Sequence, residues 1–132
     1  MKNGIYNITH EDLVERGNTL FDDKTHVAVI DGAAIPDKWS LIDALANAFE
    51  FPEEESELDY SYTIEYLEDL MWIREPRIVF VIHHYDDLLS GDTELKKTFD
   101  DDLKDIVGWW SKDVIGHMVG GYPRSFRIYL GD

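Results

Sequence analysis

Three short apolar runs, separated by longer polar stretches, indicate the strands of a sheet. The first, HVAVI at residues 26–30, is rich in β-branched residues and ends at Asp31-Gly32, a turn signal. The second, RIVFVI at 77–82, holds consecutive apolar residues without alternation, which is typical of a strand covered on both faces in a parallel sheet. The third is SFRIYL at 125–130. Because parallel strands need crossover connections, we expect helices between them.

The segment after the first strand carries apolar positions at helical spacing. Ser40 and Asp43 form a predicted capping box, and Trp39 and Ala44 occupy the positions of a hydrophobic staple. The apolar stripe that follows consists of Leu41, Leu45, Ala48 and Phe49. Pro52 is expected to end this helix.

A longer helix is predicted to begin at Thr93. Its apolar stripe continues for about five turns. The stripe consists of Leu95, Phe99, Leu103, Ile106, Val107 and Trp110. We interpret the run Asp100-Asp101-Asp102 on this helix as part of its solvated face.

The segment DYSYTIEYLEDLMWI, residues 59–73, is predicted to form one helix with two different faces. The apolar stripe consists of Tyr60, Ile64, Leu67 and Met71, with Thr63 and Leu70 beside it. The opposite face consists of Tyr62, Glu65, Glu68, Asp69 and Trp72. Folding requires the first face but not aromatic residues among carboxylates, and that combination is typical of a docking surface. An ordinary solvated face with incidental aromatic residues is the alternative.

The order of elements predicts an α/β protein with a small three-stranded parallel sheet packed with helices. We expect one such domain over residues 26–132, since the chain has 132 residues and shows no linker. Residues 1–25 are interpreted as a polar N-terminal extension. Within it, Thr9 and Asp12 resemble a capping box that opens a short helix ending near Gly17.

Charge narrows the range of partners. The chain has 12 basic and 28 acidic residues, which gives a net charge of −16. Binding to nucleic acid needs clustered Lys and Arg, and an anionic membrane would repel the chain, so neither is expected. We expect a cationic protein partner instead.

The chain has no cysteine, no membrane-spanning run and no signal-peptide pattern, and we expect a cytoplasmic protein that is monomeric when free.

No catalytic motif is present, and we expect neither an enzyme nor a cofactor. The cluster His83-His84-Tyr85-Asp86-Asp87 follows the central strand, where α/β proteins often place functional groups. Adjacent residues on an extended backbone point to opposite faces, so His83 and His84 cannot easily reach one ion. We therefore expect no metal site, although a metal-dependent enzyme built on this cluster remains a third hypothesis.

The blocks HVAVIDG, SLIDALANAFEFP, EYLEDLMWI and RIVFVI, in this order, resemble the barstar family. The resemblance spans residues 26–130 and is best in these early blocks. It implies an intracellular ribonuclease inhibitor with a three-stranded parallel sheet. It also implies that the loop and helix after Phe51-Pro52 carry the carboxylates and aromatic residues that block the nuclease active site.

Carried over by position, the resemblance puts Glu65 where a key inhibitory aspartate stands, one methylene longer. Tyr60 falls at an aromatic or leucine position, and Asp59 at a common asparagine. The chain departs from the family in the run EEESELDYSYT, which lacks the usual aromatic pair and glycine. Ser61 stands where a second interfacial aspartate is expected, so the family's interface is not preserved residue for residue.

Together these observations favour an immunity-type inhibitor of a cationic nuclease toxin. The expected partner-binding residues are Glu53, Glu54, Glu55, Asp59, Tyr60, Ser61, Tyr62, Glu65, Glu68, Asp69 and Trp72. The alternative is an acidic interaction module that binds a basic partner without nuclease activity.

Overall fold

The structure is a computed structural model that describes residues 3–9, 11–12, 15, 23–52, 59–113 and 125–131. The strands are β1 (Gly4–Ile8), β2 (Thr25–Asp31), β3 (Arg77–His83) and β4 (Ser125–Gly131). The helices with full bounds are α1 (Lys38–Ala48), α2 (Tyr60–Leu67) and α3 (Thr93–Gly108). The three predicted strands and the long helix are therefore confirmed, and the α/β class with a parallel sheet is correct.

The sheet has four strands, in the order β1-β4-β3-β2, and each neighbouring pair is parallel. The prediction of three strands is wrong because the run GIYNI, taken as polar, pairs with β4. Its side chains alternate: Ile5 packs against the main core, whereas Tyr6 and Ile8 pack against the opposite face of the sheet. The division of the chain at residue 25 stays a prediction, although β1 belongs to the same sheet.

Little of the short helix predicted in the N-terminal region lies within the described residues. The Asp12 backbone N–H donates to Thr9 Oγ1 at 3.1 Å, as the predicted cap requires. Gly17, which was expected to end this helix, lies outside the described residues.

The central strand β3 is buried on both faces, as its unbroken apolar sequence predicts. Ile78, Phe80 and Ile82 point into the core beneath the helices. Val79 and Val81 lie in a smaller cluster on the other face. One face of β3 therefore forms part of the core against which the helices pack.

Helix α1 begins earlier than predicted. Asp37 is the N-cap, and its carboxylate accepts a hydrogen bond from the Ser40 backbone N–H at 3.0 Å, while Ser40 completes the capping box. The proposed box of Ser40 with Asp43 is thus wrong by one turn. Trp39 consequently lies in the first turn and is 62% exposed, so it forms no staple with Ala44.

Candidate functional site

Helix α2 is shorter than the fifteen-residue segment suggests, because the chain leaves the helix after Leu67. Glu68 is the C-cap, and Leu70 adopts a left-handed conformation with φ of 50°. This reversal turns Leu70 fully into the core and leaves Met71 70% exposed. The prediction that Met71 belongs to the apolar stripe is wrong, since helical periodicity no longer applies beyond the turn.

Asp59 fixes the start of α2. Its carboxylate accepts a hydrogen bond from the Tyr62 backbone N–H at 2.9 Å, and its carbonyl accepts one from Thr63 Oγ1 at 2.8 Å. Asp59 is exposed, whereas Thr63 is fully buried. A carboxylate at a helix N-terminus also interacts favourably with the helix dipole. The side chain of Asp59 is therefore both solvent-facing and held in one position.

Tyr60 anchors the first turn of α2 to α3. Its hydroxyl donates to Asp102 Oδ2 at 2.5 Å, and its ring packs against the core. Partial burial and this hydrogen bond raise the pKa of Tyr60 well above its usual range. The phenol thus remains a neutral donor to a carboxylate.

The aspartate run on α3 is not simply a solvated face. Asp102 accepts from Tyr60, and Asp100 accepts from the Tyr85 hydroxyl at 2.6 Å and lies 3.5 Å from Lys104 Nζ. Burial and the Asp100 bond likewise raise the pKa of Tyr85. Asp101 alone of the three is exposed. No local pattern links residues 42 positions apart, so sequence reasoning missed the pairing of Tyr60 with Asp102.

Four of the expected partner-binding residues lie on the exposed side of α2 and at its N-cap. They are Asp59, Ser61, Tyr62 and Glu65, which we call the acidic face. Tyr62 is 57% exposed, and Glu65 forms no ion pair with the described part of the chain. Residues three and four apart are neighbours on a helix, so Glu65 lies beside both Ser61 and Tyr62.

The remaining expected residues are less exposed or lie elsewhere. Glu68 and Asp69 occupy the turn after α2 and are partly buried. Trp72 is also partly buried, because its Nε1 donates to the Phe49 carbonyl at 2.8 Å. Glu53, Glu54 and Glu55 lie outside the described residues.

Trp72 belongs to an aromatic cluster with Phe51 and Tyr66. The three rings meet edge to face, with centroids 5.1–5.8 Å apart. Such packing holds Trp72 against the end of α1 and limits the area that it can offer to a partner. Phe51 and Tyr66 were absent from the expected site, although the aromatic density around Pro52 and Trp72 is a signal that could have indicated them.

The histidine cluster after β3 is arranged differently from a metal site. His84 Nδ1 lies 2.9 Å from Asp31 Oδ1, a hydrogen bond that lowers the pKa of Asp31. His84 adopts a left-handed conformation, with φ of 50°. Within the described residues, no three His, Cys, Asp or Glu side chains lie close enough to hold a metal ion. In the same part of the chain, no helix is long and apolar enough to cross a membrane.

A family model described as Barstar (barnase inhibitor) matches residues 25–130, which is most of the chain. The chain belongs to the Barstar family. The match begins at β2, so β1 lies outside it. Comparisons with curated proteins and with solved structures gave no match. Membership in the Barstar family supports a ribonuclease-inhibitor-like protein, since members of this family bind ribonucleases and act as inhibitors.

Proposed function

We propose that this Barstar-family protein is an immunity-type inhibitor that binds a basic nuclease toxin and blocks its active site. The observation that carries the proposal is the acidic face of α2. Its carboxylates are exposed, and its outward side chains have no role in the core. In a family of ribonuclease inhibitors, solvent-facing carboxylates are suited to occupy the position of RNA phosphates in the nuclease active site.

The proposed mechanism is competition with substrate. Asp59 and Glu65 would face the Arg, Lys and His side chains that bind RNA phosphates in the nuclease. Tyr62 would supply rigid contact area between them. Because Asp59 is already held by the Tyr62 N–H, little side-chain entropy is lost when it binds. The net charge of −16 would steer a cationic enzyme toward this surface.

The proposed surface extends beyond the acidic face. Glu68, Asp69 and Trp72 follow the helix, and Glu53, Glu54 and Glu55 precede it in the chain. Tyr60 contributes by holding the first turn, since its hydroxyl is engaged by Asp102. We therefore assign Tyr60 a positioning role and assign direct contact to its exposed neighbours.

The first experiment asks whether a nuclease is inhibited. The chain would be co-expressed with the product of the adjacent gene, and rescue from toxicity and complex formation would be scored. Cleavage of a fluorogenic RNA would then be measured with the purified partner and, as a second probe, with barnase. We expect inhibition of the adjacent nuclease. A partner that cleaves RNA equally well in the complex would contradict the proposal.

The second experiment locates the interface. Glu65→Ala should weaken binding by about 2–5 kcal/mol if the carboxylate pairs with a buried cation. Asp105→Asn is the matched control, because Asp105 is exposed on α3 and lies outside the acidic face. Binding should also weaken as salt rises, chiefly through slower association. Equal effects of the two substitutions on binding affinity would mean that the interface does not lie on α2.

One observation favours an alternative partner. Ser61 stands on the acidic face where the family resemblance implies a second carboxylate. The acidic face therefore has one negative charge fewer to oppose the phosphate-binding site of a nuclease. A basic protein without nuclease activity is therefore the second candidate. It would form a Glu65-dependent complex that leaves every tested ribonuclease activity unchanged.

A further inference from the structure

The strand β2 lies at one edge of the described sheet, opposite β1. Only one of its sides pairs with another described strand, β3. Alternate residues of such a strand direct their N–H and C=O groups away from the sheet. Proteins commonly protect an edge with proline, lysine or a short strand. The sequence THVAVID has seven residues and carries neither proline nor lysine.

A groove of about 550 Å³ runs along this edge, between β2 and α1. Its apolar lining consists of Val29, Ile30, Ala34, Ile35, Ala44 and Ala48. Val29 is 49% exposed in the middle of the strand, and it is in register with Val81, so its side chain extends from the face of the sheet opposite α1. Trp39, the most exposed tryptophan of the described residues, directly precedes the lining residue Ser40. We call β2, this groove and Trp39 the edge surface.

The groove within the edge surface is lined by acidic and neutral polar residues. The polar residues that line the groove are Asp31, Ser40, Asp43 and Asn47, and none of them is basic. Asp31 and Asp43 are exposed, and the hydrogen bond with His84 lowers the pKa of Asp31. Lys38 Nζ lies 4.6 Å from the centre of the Trp39 ring, so a basic side chain of the protein itself contacts this ring.

We propose that the edge surface binds an extended, Lys- or Arg-bearing segment of another protein, which pairs with β2 as an additional strand. Backbone hydrogen bonds to β2 would give affinity, and alternate side chains of the segment would enter the groove. Its cationic residues would lie opposite Asp31 and Asp43. A second copy of this chain is a poor occupant because it carries the same charge of −16. The edge surface shares no residue with the acidic face, so this inference does not depend on nuclease inhibition.

The test uses the full-length, ¹⁵N-labelled protein and three synthetic peptides. Each peptide alternates Val and Thr, and the three differ only in bearing Lys, Ser or Glu at both ends. We expect the Lys peptide to shift the β2 amides and the Trp39 indole resonance. It should bind about tenfold more tightly than the Glu peptide. The reason is that two exposed aspartates attract the Lys side chains and repel the Glu side chains.

Charge exchange makes the test specific. Asp43→Lys should weaken the Lys peptide and strengthen the Glu peptide, while Asp43→Asn should reduce the difference between them. Asp43→Asn alone would be used if Asp43→Lys did not give a folded spectrum. Trp39→Ala should weaken binding of the Lys peptide, and Met71→Ala is the control for an exposed apolar residue outside both the edge surface and the acidic face.

Three results would overturn the proposal. The first is the absence of shifts at β2 with every peptide, and the second is shifts confined to the acidic face. The third is a dimer in light scattering of the free protein with the β2 amides protected from exchange, which would make a second copy the occupant.

Discussion

Helices α2 and α3 lie side by side but are stabilised in different ways. Helix α3 has 16 residues, and its stripe of Phe99, Leu103 and Ile106 is buried as the spacing predicts. Helix α2 has eight residues and buries only Thr63 and Leu67 within its bounds. A helix of this length is unstable in isolation, so its stability must come from its neighbours. The apolar stripe of α3 can thus be recognised in its own sequence, whereas the stability of α2 depends on contacts with the rest of the molecule.

Those contacts combine the apolar packing of Ile64 and Leu67 with directional hydrogen bonds. Tyr60 donates to Asp102 at the start of α2, and Trp110 Nε1 donates to the Leu67 carbonyl at its end, at 2.9 Å. Trp110 is buried, so the second bond lies in the core. Both bonds attach α2 to α3 or to the short π-helix, Trp109–Asp113, that continues it. Apart from Asp59, which caps the helix, the outer side chains of α2 are not needed for these contacts, and they are available to a partner.

The largest effect should come from the apolar stripe of α3. Phe99→Ala removes a fully buried ring and should lower the free energy of unfolding by about 3–5 kcal/mol. Urea denaturation measures this loss. The exposed neighbour Lys97, replaced by alanine, should change stability by less than about 0.5 kcal/mol. Similar losses from both would mean that α3 is not defined by its stripe.

A smaller effect is expected from the anchor of α2. Tyr60→Phe removes the donor to Asp102 and should cost about 1–2 kcal/mol, since the bond is charge-assisted but only partly buried. Amide hydrogen exchange should accelerate in α2 more than in α3. Tyr62→Phe is the control, because Tyr62 is mostly exposed. Uniform acceleration across both helices would show that they unfold as one unit.

The N-cap of α2 should contribute about as much to the free energy of unfolding as one hydrogen bond. Asp59→Ala should cost about 1 kcal/mol of stability, whereas Asp59→Asn preserves an acceptor and should cost less. Thermal unfolding of the two variants compares them. If the acidic face binds a cationic partner, Asp59→Asn should still weaken binding, which separates the charge of Asp59 from its capping role.

The smallest effect concerns alkaline pH. The pKa values of Tyr60 and Tyr85 are raised in the folded protein above the ordinary value of 10.0. Above this pH the unfolded chain loses protons that the folded chain retains, so stability should fall as pH rises. Tyr60→Phe and Tyr85→Phe should each flatten that fall, as measured by urea denaturation across alkaline pH. An unchanged slope in both variants would mean that these hydroxyls do not titrate abnormally.

Much of the fold could be predicted because it depends on local patterns. The unbroken apolar run of β3 and the long stripe of α3 indicate their own burial. Two features could not be predicted in this way. Strand β1 is stabilised by pairing with β4, at the other end of the chain. Helix α2 ends because Leu70 takes a left-handed turn that places its side chain in the core.

The candidate site was predictable to a similar extent. The exposure of Tyr62 and Glu65 follows from helical spacing alone. The burial of Tyr60 and Trp72 depends on partners far away in the chain, namely Asp102 and the Phe49 carbonyl. Spacing gives the direction of a side chain on an ideal helix, but it does not reveal which distant acceptor will hold that side chain.

The hydrogen bond from the Tyr62 N–H to Asp59 has an evolutionary consequence. Asp59 maintains the helix and also presents charge, so a mutation there would be selected against for two reasons. Ser61 and Glu65 make no comparable side-chain bond within the described residues. Lineages that meet a new partner can therefore vary these two positions at little cost to folding, and divergence in specificity should accumulate there first.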